Sequence, residues 1–235
     1  VVAASGNDQA ARLAYPAAYA GVVSVGAVDA LGVQAIFSNS GSTLQLTAPG
    51  VQVQTAGLSG TRTTVSGTSA SAPVVSGSIA ALMSQNPGLT AIQAADRLAS
   101  HASDGGAAGA DADYGNGSVN LGWAMNASSS AWTDPAVSSQ NYNAETGVVS
   151  IVVQNRSGSA VGGLSLGVNA NGVTTTHALT ELAAGASTTV TLPVDTAQLA
   201  GGGQIVVRSQ LVTPAGLTDQ NTANNRRSGV ISGAK

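Results

Sequence analysis

The chain has no cysteine among its 235 residues, which excludes a disulfide framework and a thiolate metal site. Aromatic residues make up only 3%, with a single phenylalanine. Charged residues amount to 8%, about a third of the usual share. The one lysine is Lys235 and the net charge is −3, so neither nucleic acid nor an anionic membrane surface is an expected partner. No apolar run reaches the roughly 20 residues that a membrane span needs. A signal peptide and an initiator methionine are also absent; Val1-Val2-Ala3-Ala4 reads as the interior of a buried strand. A strand opening a chain without its partners leads to the expectation of a fragment or a processed piece.

Hydrophobic residues at 43% allow a sizeable core, in one large domain or two ordinary ones. Up to Asn126 the pattern mixes strands and helices. Short apolar runs at Val1–Ala4 and Val22–Val28 have the form of interior parallel strands. Leu44–Ala48 and Val51–Ala56 flank a Pro49-Gly50 turn. Val75, Ile79, Leu82 and Met83 fall at helical spacing within Ser69–Gln85, with Pro73 near the first turn as a candidate kink. Asn86-Pro87-Gly88 stops that helix, and Thr90-Ala91-Ile92-Gln93 has the form of a capping box opening another through about His101.

The texture changes after Asn126. Residues 127–137 read as a linker, and residues 138–235 show strands only: Val148–Val153, Leu164–Val168, Ser187–Leu192 and Gln204–Val212. Turn signals such as Asn171-Gly172 separate them. The expected architecture is an α/β parallel-sheet domain over 1–126 followed by an all-β antiparallel sandwich.

The most informative run is Gly67-Thr68-Ser69-Ala70-Ser71-Ala72-Pro73. It places a serine where a glycine turn meets a buried helix, and the helix N-terminus favours negative charge developing beside it. Read alone, Gly-Thr-Ser is more readily a helix cap. Upstream, Ala3-Ala4-Ser5-Gly6-Asn7 ends a strand with an amide able to donate into a crevice at the strand's carboxyl end. Together the two runs resemble the subtilisin-like serine proteases (subtilases, peptidase family S8). Tyr15-Pro16-Ala17, Val25-Gly26-Ala27-Val28, Phe37-Ser38-Asn39-Ser40-Gly41, Ala48-Pro49-Gly50 and Tyr114-Gly115-Asn116-Gly117 agree in order, so the resemblance covers nearly all of 1–126.

The resemblance implies that Ser69 is the acylated nucleophile of an endopeptidase. It implies that Asn7 and the Ser69 backbone N–H bind the oxyanion, and that Ala4, Ser5, Gly6, Ala14, Tyr15 and Pro16 line the substrate crevice. The small residues there point to a roomy, apolar pocket. A polypeptide substrate, no cofactor and a secreted or cell-surface bacterial setting follow from the same likeness, whereas no metal is expected because Ser42–Leu46 departs from it. Subtilase triads run Asp, His, Ser, and both earlier members precede the oxyanion asparagine. Here the chain begins six residues before Asn7, so an N-terminal half of the catalytic domain is the expected missing partner and the chain alone is expected to be inactive.

Neither histidine lies in the setting of the family's base. His101 falls at a helix end, where a histidine satisfies terminal carbonyls, and His177 falls on a strand of the second domain. Val74 replaces a histidine that many members carry, and Ser42–Leu46 lacks the acidic residues of a weak cation site in the family. Asp111 and Asp113 read as solvated turn residues rather than calcium ligands. Asn116, Asn126 and Asn155 begin short glycosylation-type patterns that arise easily by chance. The second domain resembles CARDB-type sandwiches of bacterial surface proteins, through Val149–Asn155, Leu182-Ala183-Ala184-Gly185 and Asp219-Gln220-Asn221 with Asn224-Asn225. The rival reading of the whole chain is a non-catalytic surface or binding protein on a degenerate subtilase scaffold.

Overall fold

The computed structural model describes residues 1–233. Ala234 and Lys235, the end of the expected second domain and its only lysine, lie outside the described residues. The chain divides into two compact units, Val1–Met125 and Asn126–Lys235.

In the first unit β1 (Val2–Ala4), β2 (Val23–Val28) and β3 (Leu46–Pro49) form a parallel sheet in the order β1-β2-β3. Val2 pairs with Val23 and Val25 with Leu46. β2 is the central strand, and its apolar run is buried on both faces, as parallel strands covered on both sides require. An exposed hairpin of β4 (Val53–Ala56) and β5 (Arg62–Val65) leads into α1 (Thr68–Gln85). α2 (Ala91–Ser100) and α3 (Leu121–Asn126) follow.

Val75, Ile79 and Leu82 of α1 meet Val25, Leu46 and Ala48 of the sheet and Ala94 and Leu98 of α2 in one cluster. Each leucine fully removed from water there contributes about 1.5–3 kcal/mol. α1 continues through Pro73, which has no N–H to give the Ser69 carbonyl. At α2 the capping box is complete: Thr90 N–H donates to Gln93 Oε1 (2.9 Å), and Gln93 N–H to Thr90 Oγ1 (3.3 Å). β5 was not expected, because all four of its residues are exposed and carry no apolar alternation. It exists through its pairing with β4.

The second unit holds β6 (Pro135–Asn143), β7 (Val148–Asn155), β8 (Ser165–Ala170), β9 (Val173–Ala178), β10 (Ser187–Pro193), β11 (Gln204–Val212) and β12 (Arg226–Ser232). Two antiparallel sheets result, β10-β7-β6 and β12-β11-β8-β9. They share one core in which Ile151 and Val153 join Leu166, Val168, Ile205, Val207 and Leu211. The β8–β9 turn puts Asn171 and Gly172 at φ 47 and 87, the double positive φ of a tight hairpin. Pro135–Val137, the end of the stretch read as a linker, already belong to β6. β12 escaped the sequence reading because arginine and serine fill most of its outward positions.

Buried polar groups tie this unit together. Asn155 is fully buried; its amide NH2 faces the carbonyls of Ser159 (2.8 Å), Leu182 (2.9 Å) and Ala183 (3.1 Å), and its Oδ1 accepts from Ser157 N–H (2.9 Å). That amide is committed, so Asn155 is no glycan acceptor in the folded chain. Asp134 is also buried, its Oδ1 accepting from Asn224 Nδ2 (2.7 Å). Burial pushes its carboxyl pKa up, against the Asn224 hydrogen bond and the Arg156 charge, while Asp219 adds to the rise.

Candidate active site

The site is built where the carboxyl end of β1 meets the N-terminus of α1. Gly67, the residue before the helix, has φ +147, a backbone that side chains rarely adopt. A Cβ there would lie 3.1 Å from Ser69 Oγ and 3.4 Å from Asn7 Nδ2. The bare α-carbon therefore floors a space that both functional groups border. Ser69 is exposed, whereas Thr68, Ala70 and Ser71 around it are buried.

Each buried neighbour anchors something. Ser71 Oγ donates to the Ala48 carbonyl at the end of β3 (3.0 Å), and Gly67 N–H donates to the Gly50 carbonyl (2.8 Å). Gly50 has to be glycine, since a Cβ would fall on Ser71 Oγ and within 2.6 Å of Ala27 Cβ. Thr68 holds the amide. Its N–H and its Oγ1 both donate to Asn7 Oδ1, at 2.8 and 2.9 Å. Thr68 Oγ1 in turn accepts from Gly6 N–H (3.3 Å).

The consequence is chemical. An amide with its oxygen doubly occupied has its orientation fixed by its partners, so Nδ2 is the end turned outward. Among the described residues, Asn7 Nδ2 and the Ser69 backbone N–H have no acceptor. Two unspent donors beside a serine hydroxyl form an arrangement suited to an oxyanion.

Asn39 keeps the Asn7 loop in place. It is buried, its Oδ1 accepts from Asp8 N–H (2.8 Å) and Ala10 N–H (3.0 Å), and its own N–H donates to the Gly6 carbonyl (3.0 Å). Gly6 has φ +113, and a Cβ there would fall on Asn39 Nδ2. Neither Thr68 nor Asn39 was singled out in the sequence. Their only signal was membership of the Gly67–Pro73 and Phe37–Gly41 runs.

The expected crevice residues are partly gathered. Ala14 N–H donates to the Ser5 carbonyl (2.8 Å), joining the segment after β1 to the Tyr15-Pro16 segment. Ala14 and Tyr15 line a cavity of about 670 Å³ together with Asp8, Arg12 and Leu13; Ala4, Ser5, Gly6 and Pro16 are not in its wall. With Asp8 and Arg12 present, that cavity is roomy but not purely apolar.

His101 sits where a helix-end histidine was expected. Its Nδ1 lies 2.8 Å from the Arg97 carbonyl and its ring meets the Trp123 ring edge-on at 5.1 Å. His177 Nε2 lies 3.1 Å from Thr175 Oγ1 on β9. Asp111 serves its loop, its Oδ1 accepting from the N–H groups of Asp113 (2.9 Å) and Tyr114 (2.7 Å).

A serine at the head of a helix packed on a parallel sheet, set beside outward donors at the carboxyl end of β1, is an arrangement suited to a serine hydrolase. Residues 1–117, just under half of the chain, match the Subtilase family, Peptidase S8. Subtilisin DY of Bacillus licheniformis is 40% identical over 125 residues, which is 52% of this chain and 44% of that protein. Subtilisin BL of Lederbergia lenta is 39% identical over 120 residues, covering 51% and 44%. The chain thus spans less than half the length of these curated relatives. A solved lanthipeptide protease superposes with a TM-score of 0.49 at 25% identity, over 53% of this chain and 49% of that one. Among the described residues no helix is long and apolar enough to cross a membrane.

Proposed function

We propose that Ser69 is the nucleophile of a secreted bacterial endopeptidase and that Asn7 Nδ2, with the Ser69 N–H, binds the oxyanion. The observation that carries this reading is the double occupation of Asn7 Oδ1 by Thr68, which leaves the NH2 group open beside Ser69 Oγ. In the reaction Ser69 Oγ attacks the scissile carbonyl and its proton passes to a general base. The carbonyl oxygen gains charge between the two donors; collapse breaks the C–N bond as the base passes its proton to the leaving amine, and water then hydrolyses the acyl-serine and restores the Ser69 hydroxyl.

The substrate lies along Ala4, Ser5 and Gly6 on one side and Ala14, Tyr15 and Pro16 on the other. His101 is held at the Arg97 carbonyl and His177 meets Thr175, and neither makes a hydrogen bond to Ser69; in this reading the base and its carboxylate partner come from a catalytic half that this chain does not carry. The 235-residue chain alone is then inactive. In this reading the second domain, expected over 138–235, is a β-sandwich of CARDB type that serves the enzyme as an appendage.

A fluorophosphonate probe tests the assignment. The full-length protein labels and its Ser69→Ala variant does not; equal labelling of both removes Ser69 as nucleophile. The engagement of both histidines also favours a second reading, a non-catalytic binding protein on the same scaffold. Absence of labelling in a full-length protein that folds would establish that one.

A further inference from the structure

The charges of the chain are unevenly shared. The first unit carries six carboxylates against three arginines, so the whole net charge of −3 belongs to it, and the second is balanced. Within that balanced unit, three of the chain's seven arginines line one cavity of about 660 Å³ on the β12-β11-β8-β9 sheet, and no carboxylate lines it. Arg227 points inward, its Nε donating to the Val137 carbonyl (3.1 Å). Arg208 and Arg226 lie on the exposed face. Neither has a carboxylate partner among the described residues.

The register gives their spacing. Arg208 stands opposite Ser228, and Arg226 opposite Gln210, so the two arginines are diagonal neighbours on one face, roughly 7–8 Å apart at the backbone. Across β8, Gly167 stands opposite Gln210 and Asn169 opposite Arg208. With no side chain at Gly167 the face is hollow there. Its conformation does not demand glycine, and a Cβ would meet only Gln210 O at an ordinary 3.7 Å. Two like charges kept together on a sheet face repel each other unless an anion lies between or above them.

We propose that this face docks an extended acidic polypeptide segment, with carboxylates at alternate positions taken by Arg208 and Arg226. Side chains two residues apart on an extended chain lie about 6.6–6.8 Å apart on the same side, which matches the diagonal spacing. A guanidinium takes a carboxylate through paired hydrogen bonds. Asn169, Gln210 and Ser228 offer further hydrogen bonds around the hollow. No aromatic ring lines it, so neither a sugar ring nor a nucleobase finds a stacking partner. The choice of a polypeptide rests on the peptidase reading of the first unit, for which the face is a second substrate contact on a unit that carries none of the candidate catalytic residues.

The test uses the 235-residue chain carrying Ser69→Ala, so that cleavage plays no part. A fluorescein-labelled Ser-Gly-Glu-Val-Glu-Gly-Ser peptide is titrated at low salt and followed by anisotropy. Binding is expected, and it weakens by about tenfold or more when both glutamates become glutamine or when Arg208→Gln and Arg226→Gln are combined. Gly167→Leu keeps both arginines and fills the hollow; it weakens binding to a similar degree. No binding, or equal binding by the double variant, overturns the proposal. So does a uronic-acid oligosaccharide or an oligonucleotide that binds where the peptide does not. Peptide binding that persists while the full-length protein fails to label at Ser69 removes the peptidase reading and leaves the docking face standing.

Discussion

Two asparagine amides, Asn7 in the first unit and Asn155 in the second, show how one chemical group serves two ends. Asn155 is spent: its NH2 group faces three carbonyls, its oxygen accepts a backbone N–H, and it is fully buried. Asn7 is half spent. Its oxygen is held twice by Thr68, and its NH2 group is left open at the surface. A fully satisfied amide holds a structure in place, whereas an anchored amide with free donors is a preorganised tool. The difference lies in the partners, because the side chains are identical.

The largest expected effect breaks the tool itself. On the peptidase reading, Ser69→Ala in the full-length protein lowers kcat by about six orders of magnitude, a size known from subtilisin itself, and peptide-hydrolysis kinetics would show it. Asn7→Ala lowers kcat by about 10²–10³ with KM little changed, again a magnitude taken over from subtilisin. That variant also loses some thermal stability, because the N–H and Oγ1 of buried Thr68 are left without their acceptor.

Asn155→Ala has the opposite profile. It takes the donor from the Ser159 carbonyl and the acceptor from Ser157 N–H, and removes one of two donors at the Leu182 and Ala183 carbonyls, which keep the N–H groups of Val161 and Ala186; the second unit loses on the order of 2–4 kcal/mol, read by urea denaturation. Labelling of Ser69 is unchanged in that variant. If Asn155→Ala abolished labelling while Asn7→Ala left kcat intact, the contrast between the two amides would collapse.

The smallest effect concerns pH. The Asp134 carboxyl is raised above its ordinary 3.8 by burial, which outweighs the Asn224 hydrogen bond and Arg156. Below pH 3.8 both folded and unfolded chains hold the proton, and no penalty exists. As pH rises through the folded value, the unfolded chain has released its proton first, and the second unit loses stability. Asp134→Asn removes that loss, and urea midpoints compared across acidic pH would reveal it. A slope unchanged by the substitution would assign the dependence to other groups.

Much of this was legible locally. The 3.6-residue spacing of Val75, Ile79 and Leu82 announced α1, and the Thr90–Gln93 pair announced the start of α2. Gln204–Val212 alternates so regularly that β11 has the very bounds the sequence suggested. His101 was readable for the same reason: its partner, the Arg97 carbonyl, is four residues away. β5 and β12 were not legible, because their residues are mostly exposed and polar and owe their conformation to a neighbouring strand.

By itself the sequence determined the Gly67–Pro73 motif, the helix that carries it and the change of architecture after Asn126, all of which depend on spacing within a few turns or one strand. Only the tertiary structure decided which end of the Asn7 amide faces outward and that Arg208 and Arg226 share one face. Asn7 meets Thr68 across 61 residues of chain, and the arginines meet through the register of β11 and β12. An amide has no intrinsic preference between its two orientations. Its hydrogen-bond partners decide, and folding alone brings them there.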